Sequence, residues 1–513
     1  MYTVRKSFPQ VDGSLRLPGL TGSVEIYRDK SGIPHIYADT AADLFTAQGF
    51  VHAQDRFFEM DFRRHTTAGR LSELFGKSTV GTDKVLRTMG WRKVAEQEVP
   101  ELAQETQDYL NAYAKGVNAW LSANPNASDR SLEYSVLKLQ NGDYQPEKWT
   151  AADSVAWLKA MAWDLRSNME DEIDRALALT KLPMERVEQL YPGYPYDRHA
   201  TIVGEGAIDQ GRFDQRATPR QRGADALAQA AKTLDAVPDM MGTEERDGIG
   251  SNSWVVSGEH TTSGKPLLAN DPHLSPQMPS VWYQAGLHCR KITEECPYDV
   301  TGFTFSGMPG VIIGHTDKIS WGFTNLGPDV ADLFLEKVTG GTYLYKGEQV
   351  KLETRQEQIK VAGGAPVTII VKSTRHGPLI NEVLADARPS GEANAVALQW
   401  TALTPGRTMD AVFALNRAAD WGSSRRRRRC SRCRPRTWST PTPRARSATR
   451  RPGASPYGRA ATAPGRSPAG RASTTGRPPP SPTTSFPRWR TRLRGSSSPR
   501  TTPSSTRSAT SRC

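Results

Sequence analysis

The spacing of the apolar residues changes kind at Ser251, and that change limits what this chain can fold into. Upstream, Leu44, Phe45, Phe50, Val51, Phe57, Phe58 and Met60 recur at helical spacing between Ala41 and Arg64, and further amphipathic stretches continue to about Leu190. A short β start precedes them over residues 15–40, with turn signals at Gly19, Gly22 and Gly32, and Asp39-Thr40 caps the first helix. Downstream, SWVV, KPLLA, YDVTGFTF, GVIIGH, ISWGFTN, LFLEKV, VTIIVKS and NAVALQW are short β-branched and aromatic runs broken by Gly, Pro and Asp. Such runs read as strands. Residues 409–421, MDAVFALNRAADW, return to helical spacing. Helices first and strands after them give an α+β chain.

Between the two patterns, residues 205–250 are polar, rich in Gly, Ala, Asp and Arg and poor in aromatics, which is a linker composition. The expected organisation is a mostly helical region over 1–204, a spacer over 205–250, a strand-rich region over 251–421 and a tail over 422–513. A length of 513 residues suits three or so domains, or two subunits cut from one precursor. The formal charge of +13 would by itself point to nucleic acid or an anionic surface. The tail, however, holds 23 Arg and no Asp, Glu or Lys; taking those 23 from 67 basic residues leaves 44 against 54 acidic ones. Residues 1–421 are therefore acidic, with a net charge of −10, and no nucleic-acid partner is expected.

Of the five cysteines, three (Cys430, Cys433, Cys513) lie in the tail. Cys289 and Cys296 flank a short polar loop, which suits either a local disulfide in an oxidising compartment or two unpaired thiols. No apolar run reaches the ~18 residues that span a bilayer. MYTVRKSFPQ has no signal-peptide core, so a start codon set too far downstream, with an export or membrane segment lost ahead of it, is expected.

Ser251 is the residue with chemistry to explain. A serine hydroxyl is a poor nucleophile until a base stands beside it, and the chain has no G-x-S-x-G elbow to supply an internal triad. Cleavage of Gly250–Ser251 would supply the base from the serine itself: its α-amine, with an ordinary pKa near ~7.7–8.0, acts through water as general base at neutral pH. Gly250, lacking Cβ, is expected to let the backbone strain at the scissile bond. If 251–258 and 266–273 pair about a turn centred near Thr262, His273 falls opposite Ser251, where an imidazole can orient the amine or the substrate. A lone His at a strand end is otherwise a structural residue.

Gly250-Ser251-Asn252-Ser253-Trp254, LLANDPHL, GHTDKISWGFTNLGPDVADLF, GRLSELFG and GIPHIYADTAADLFTAQGFVHAQDRFFEMDFRR together resemble the penicillin acylase family of N-terminal-nucleophile hydrolases, over roughly residues 20–421. The resemblance implies a precursor that cuts itself into an α chain, a discarded spacer and a β chain beginning at Ser251, the two chains forming a heterodimer folded as an αββα sandwich. It implies hydrolysis of the linear amide of an N-acyl compound (a β-lactam, an acyl-homoserine lactone or an acylated peptide) through an acyl-enzyme, in an extracytoplasmic location. His273 falls where members carry a His or Gln near the nucleophile, and Asn325 matches the residue whose backbone N–H serves the oxyanion hole. Glu172, Asp329 and Asp332, with the Ala331 carbonyl, match a calcium site; without the resemblance these acids read as solvated loop residues. No organic cofactor is implied. The helix AMAWDLRSN lines the acyl pocket in this reading, with Arg166 making it less uniformly apolar, and His52 is structural.

The tail contains Arg, Ser, Pro, Thr, Ala and Gly almost exclusively, and lacks Ile, Val, Asn, Gln, Met and His. It reads as an irregular, disordered basic arm, which would make this a non-enzymatic anion binder or an inactive remnant of the family, or as a GC-rich gene read out of frame. With codons chosen to suit, a one-base shift of frame allows Thr437 to Thr449 to be reread as Asn-Leu-Val-Tyr-Ala-Asp-Ala-Ala-Gly-Ala-Ile-Gly-Tyr, and Arg500 to Pro503 as Ala-Asn-Asn-Ala, a string that resembles the one where the family keeps a catalytic asparagine. A one-base deletion between about Trp421 and Arg436 accounts for both. Resequencing that stretch is expected to restore the shifted frame; an uninterrupted frame through the Arg codons contradicts it.

Overall fold

Strands β1 (Glu25–Arg28) and β2 (Pro34–Ala38) open the fold as an antiparallel pair. Their turn needs Gly32, whose φ of 77° is left-handed, and is held by the Asp29 carboxylate, which accepts from the N–H groups of Ser31 and Ile33. Helix α1 (Ala41–Ala68) follows at once. The Thr40 hydroxyl accepts from Asp43 N–H at its start, and Gly69 ends it in the left-handed conformation with its N–H on the His65 and Thr66 carbonyls. Leu44, Phe45, Phe50, Val51, Phe57 and Met60 are all buried. α1 crosses α2 (Gln104–Ala123) with the two backbones in contact: a Cβ on Gly49 would fall 2.1 Å from the Tyr113 carbonyl oxygen, and one on Gly116 1.8 Å from that of Thr46. Any larger residue at either position would push the helices apart.

Helix α3 (Ala151–Asp164) starts with a Thr150/Asp153 capping box and is buried along its whole length. α4 (Met169–Ala178) and α5 (Ala224–Asp235) follow. β3 (Gly250–Val256) and β4 (Leu267–His273) then form an antiparallel hairpin that is a sheet of its own. β5 (Trp282–Cys289), β6 (Asp299–Phe305), β7 (Met308–His315) and β8 (Ser320–Asn325) extend the first pair into a sheet ordered β1-β2-β5-β6-β7-β8. β9 (Ala331–Thr339) pairs with β10 (Thr342–Tyr345), which pairs with β11 (Glu348–Lys351). β12 (Glu353–Ile359), β13 (Val367–Thr374) and β14 (Gly377–Pro378) make a further sheet, and β15 (Ala393–Trp400) runs antiparallel to β9. α6 (Thr408–Asn416) packs with α1 and α3 on the sheet around β7, burying Phe45, Phe305, Phe413 and Trp321.

The structure is a computed structural model that describes residues 7–166, 169–192, 224–238, 250–274, 276–325, 330–381, 383, 393–420 and 436–439. The chain divides into two compact units, residues 1–472 and 473–513, and every described residue belongs to the first. No described helix is long and apolar enough to cross a membrane. Mixed helices and strands make the fold α+β.

Two segments differ from their expected character. α5 lies inside the stretch of spacer composition, yet Ala226, Leu227, Ala230 and Leu234 form a buried face on it against α4 and β15. In the tail, expected to be irregular, Arg436–Ser439 forms a strand, β16, antiparallel to β8 with Trp438 opposite Phe323. The backbone groups along that side of β8 give any four-residue segment a ladder to join, whatever its composition. The rest of the tail lies outside the described residues.

Cys289 and Cys296 are joined by a disulfide, with Cα atoms 5.7 Å apart, that closes the β5–β6 connection. The loop it closes reaches the start of α1, where the Glu295 carbonyl accepts from Ala41 N–H at 3.3 Å.

His52 sits at the centre of the helix–sheet contact. Its Nδ1 lies 2.8 Å from the Tyr113 hydroxyl and its Nε2 3.1 Å from the Thr304 hydroxyl. Burial, helped by the nearby Arg56, pushes its pKa down from 6.5 to about 3. The folded state therefore holds a neutral imidazole, while the unfolded chain protonates below pH 6.5. The associated stability is full above pH 6.5 and is lost as pH falls toward 3, at about 1.4 kcal/mol per pH unit. Urea unfolding between pH 7 and pH 5 should show this one-proton slope in the wild type, and His52→Asn should remove it; equal slopes in both proteins contradict the assignment.

Candidate active site

The β3–β4 hairpin pairs Gly250 with His273, Ser251 with Pro272 and Ser253 with Asn270. The expected pairing of Ser251 with His273 is therefore off by one residue. The reason lies in the connection: residues 257–266 separate Val256 from Leu267, an even number with no residue at its centre. It holds a short 3₁₀ turn, Gly258–His260, and the Thr261 hydroxyl donates to the Lys265 carbonyl at 2.7 Å. A one-residue slip moves every side chain to the other face. His273 accordingly shares a face with Gly250, where a Cβ would meet His273 Nδ1 at 3.7 Å, and its Nε2 lies 2.9 Å from Asp271 Oδ2. The Ser251 side chain projects from the opposite face. Gly250 itself is the first residue of β3.

On its own face Ser251 meets β8. The Asn325 backbone N–H donates to Ser251 Oγ at 3.1 Å, and the Asn325 side-chain Nδ2 donates to the Leu165 carbonyl at 3.0 Å. Three distant segments converge there: the start of β3, the end of β8 and the last turn of α3. Among the described residues the Asn325 N–H is the only hydrogen-bond partner of the hydroxyl, and it leaves the hydroxyl proton uncommitted. The group poised at Ser251 is thus an N–H donor suited to a developing negative charge rather than a base. A base has to come from elsewhere.

Arg166, next to Leu165, lies over the Trp163 ring at 3.7 Å, donates to the Trp163 carbonyl at 2.7 Å and pairs with Glu170. Its charge is held by the helix end. Glu172 on α4 and Ala331 and Asp332 at the start of β9 belong to two elements packed against each other. Asp329 lies outside the described residues, and among those described no three acidic, His or Cys side chains come together as a metal site.

Two site residues escaped the sequence reading. Leu165 contributes only a carbonyl, which no side-chain pattern reveals. Asn270, within LLANDPHL, binds backbone on both β3 and β8, a role that no sequence pattern signals.

With this geometry in place, comparison with known proteins gives consistent relatives. The profile of the penicillin amidase family matches residues 23–435. The acyl-homoserine lactone acylase QuiP of Pseudomonas aeruginosa is 30% identical over 422 residues, covering 80% of this chain and 47% of that protein. The penicillin acylase 2 proenzyme of Pseudomonas sp. strain SE83 is 32% identical over 382 residues, covering 74% and 46%. A solved structure of thermostable penicillin G acylase from Alcaligenes faecalis superposes on 37% of this chain and 33% of its own, with a TM-score of 0.32 and 23% identity. The chain spans about half the length of the curated relatives it matches.

Proposed function

The chain belongs to the penicillin amidase family, and from that premise we propose that it is an amidohydrolase cleaving the linear amide of an N-acyl compound through an acyl-enzyme on Ser251. The observation that carries the reading is the Asn325 N–H directed at Ser251 Oγ from 3.1 Å. Cleavage of Gly250–Ser251 frees the α-amine of Ser251, which at neutral pH is partly unprotonated. Through a water, the amine takes the hydroxyl proton as Oγ attacks the amide carbonyl carbon. The carbonyl oxygen becomes an oxyanion beside the Asn325 N–H. Collapse breaks the C–N bond, the leaving amine takes the proton, and the acyl group stays on Oγ as an ester. Water then attacks the ester by the same base and releases the acid.

In this reading the α chain, the spacer and the β chain follow the boundaries 1–204, 205–250 and 251 onward, with the α and β chains remaining together as a heterodimer in an αββα sandwich. His273, on the Gly250 side of the hairpin and with its Nε2 bonded to Asp271, is proposed to orient the freed amine or the substrate rather than to touch the Ser251 hydroxyl. A second oxyanion donor is the asparagine of the shifted frame; loss of one such donor costs about 10²–10³ in rate. The Cys289–Cys296 disulfide supports an extracytoplasmic location. The relatives' substrates make acyl-homoserine lactones and penicillins the first compounds to try.

Calcium belongs to the same proposal. The carboxylates of Glu172 and Asp332, the Ala331 carbonyl and Asp329 are hard oxygen donors, which suit that ion, and the packing of α4, which carries Glu172, on β9, which begins with Ala331 and Asp332, supports the reading. The ion would neutralise the acids and tie the two elements. Its test is thermal: a chelator should lower the melting temperature and added calcium restore it, whereas identical melting contradicts the site.

The catalytic reading is tested by the frame-restored protein, assayed for amine release from an acyl-homoserine lactone and from penicillin G. Turnover of at least one substrate, abolished by Ser251→Ala, is expected. Turnover that survives this substitution contradicts the role of Ser251.

A further inference from the structure

β3–β4 and β8 belong to different sheets, yet the site needs them held a fixed distance apart. β8 pairs with β7 only through Ser320 and Trp321. Beyond Trp321, the backbone groups of Phe323 and Asn325 on that same side of β8 are released, since alternate residues of a strand direct their N–H and C=O to the same edge. Asn325 N–H goes to Ser251 Oγ. Both groups of Phe323 go to the side chain of Asn270: Oδ1 accepts from Phe323 N–H at 3.0 Å, and Nδ2 donates to the Phe323 carbonyl at 3.0 Å. Nδ2 also donates to the Asn252 carbonyl on β3 at 3.0 Å.

The Asn270 carboxamide thus exchanges a donor and an acceptor with Phe323 as a neighbouring strand residue would. The arrangement repeats in step on both strands. Asn270 stands opposite Ser253, two residues from Ser251, and Phe323 is two residues from Asn325. Gly322 makes room for it: a Cβ there would fall 2.6 Å from Asn270 Oδ1 and 2.7 Å from its Cβ and Cγ. Nothing else in the local pattern requires a glycine at that position, whose φ is not left-handed.

We propose that Asn270 is a positioning residue: its carboxamide sets the separation of Ser251 Oγ from the Asn325 N–H, both when the Gly250–Ser251 bond is cut and in turnover. The proposal rests on the reading of Ser251 as nucleophile. Asn270 acts through β3 and β8 and touches neither substrate nor reacting atoms.

The test uses the full chain as wild type, Asn270→Ala, Asn270→Gln and Gly322→Ala. Two quantities are followed: the rate at which a fragment beginning at Ser251 appears, and hydrogen exchange at the Phe323 amide. In a folded Asn270→Ala chain, cleavage should slow roughly 10- to 100-fold, the cost of misplacing reacting groups by about an ångström, and the Phe323 amide should lose protection while the β6 amides keep theirs. Asn270→Gln, which retains the carboxamide, should recover part of the rate. Gly322→Ala, which pushes on the same side chain from β8, should slow cleavage even if Asn270→Ala fails to fold. Cleavage at the wild-type rate in folded Asn270→Ala, or in Gly322→Ala, overturns the proposal. If the wild-type chain itself stays whole, the Ser251 reading fails, and exchange alone decides whether the Asn270 carboxamide joins β3 to β8: a deprotected Phe323 amide in Asn270→Ala supports it, unchanged exchange overturns it.

Discussion

The departure of β8 from β7 after Trp321 is the constraint from which the candidate site follows. A strand that stayed paired to its end would have its N–H and C=O groups consumed within the sheet. By leaving, β8 keeps the edge of Phe323 and Asn325 for the hairpin that carries Ser251. Unpaired backbone groups away from water are costly, so the hairpin docks where it can satisfy them, with a side-chain amide at one place and a serine hydroxyl at the next. The same contact brings in α3, because the Asn325 side chain reaches the Leu165 carbonyl. The placing of the Asn325 N–H at Ser251 and the termination of the sheet are one structural event.

Much of this was legible in the sequence. The Thr40 cap, the apolar stripe of α1 and most of the strand runs follow from local patterns that packing reinforces, and the buried, uncharged environment of His52 follows from its place on the inner face of α1. The hairpin register was not legible. Neither face of β3 is fully buried and Trp254 is exposed, so burial does not fix the pairing, and the parity of the connecting loop decides it instead. α5 was missed because its buried face is built largely of alanine, which carries little hydrophobic contrast against the polar residues around it. The Asn325 N–H belongs to the backbone, and only family resemblance pointed to that position. Asn270 sits in the LLANDPHL run, but a carboxamide that mimics a strand can be recognised only once both strands are in place.

The spacer helix has a consequence for the uncut chain. α5 buries Ala226, Leu227, Ala230 and Leu234 against α4 and β15, the former carrying Glu172 and the latter paired with the strand that begins at Ala331. Removing residues 205–250 would therefore strip a covered apolar face as well as free an amine. If that segment is removed on cleavage as proposed, the loss would fall on α4 and β15, the two elements α5 packs against.

The central claim is that Ser251 becomes an N-terminus, and the most direct measurement is intact mass with N-terminal sequencing of the purified full chain. The account predicts a fragment beginning Ser251-Asn252-Ser253-Trp254 that is absent from Ser251→Ala. A chain that remains whole, or one cut at another bond, would contradict it.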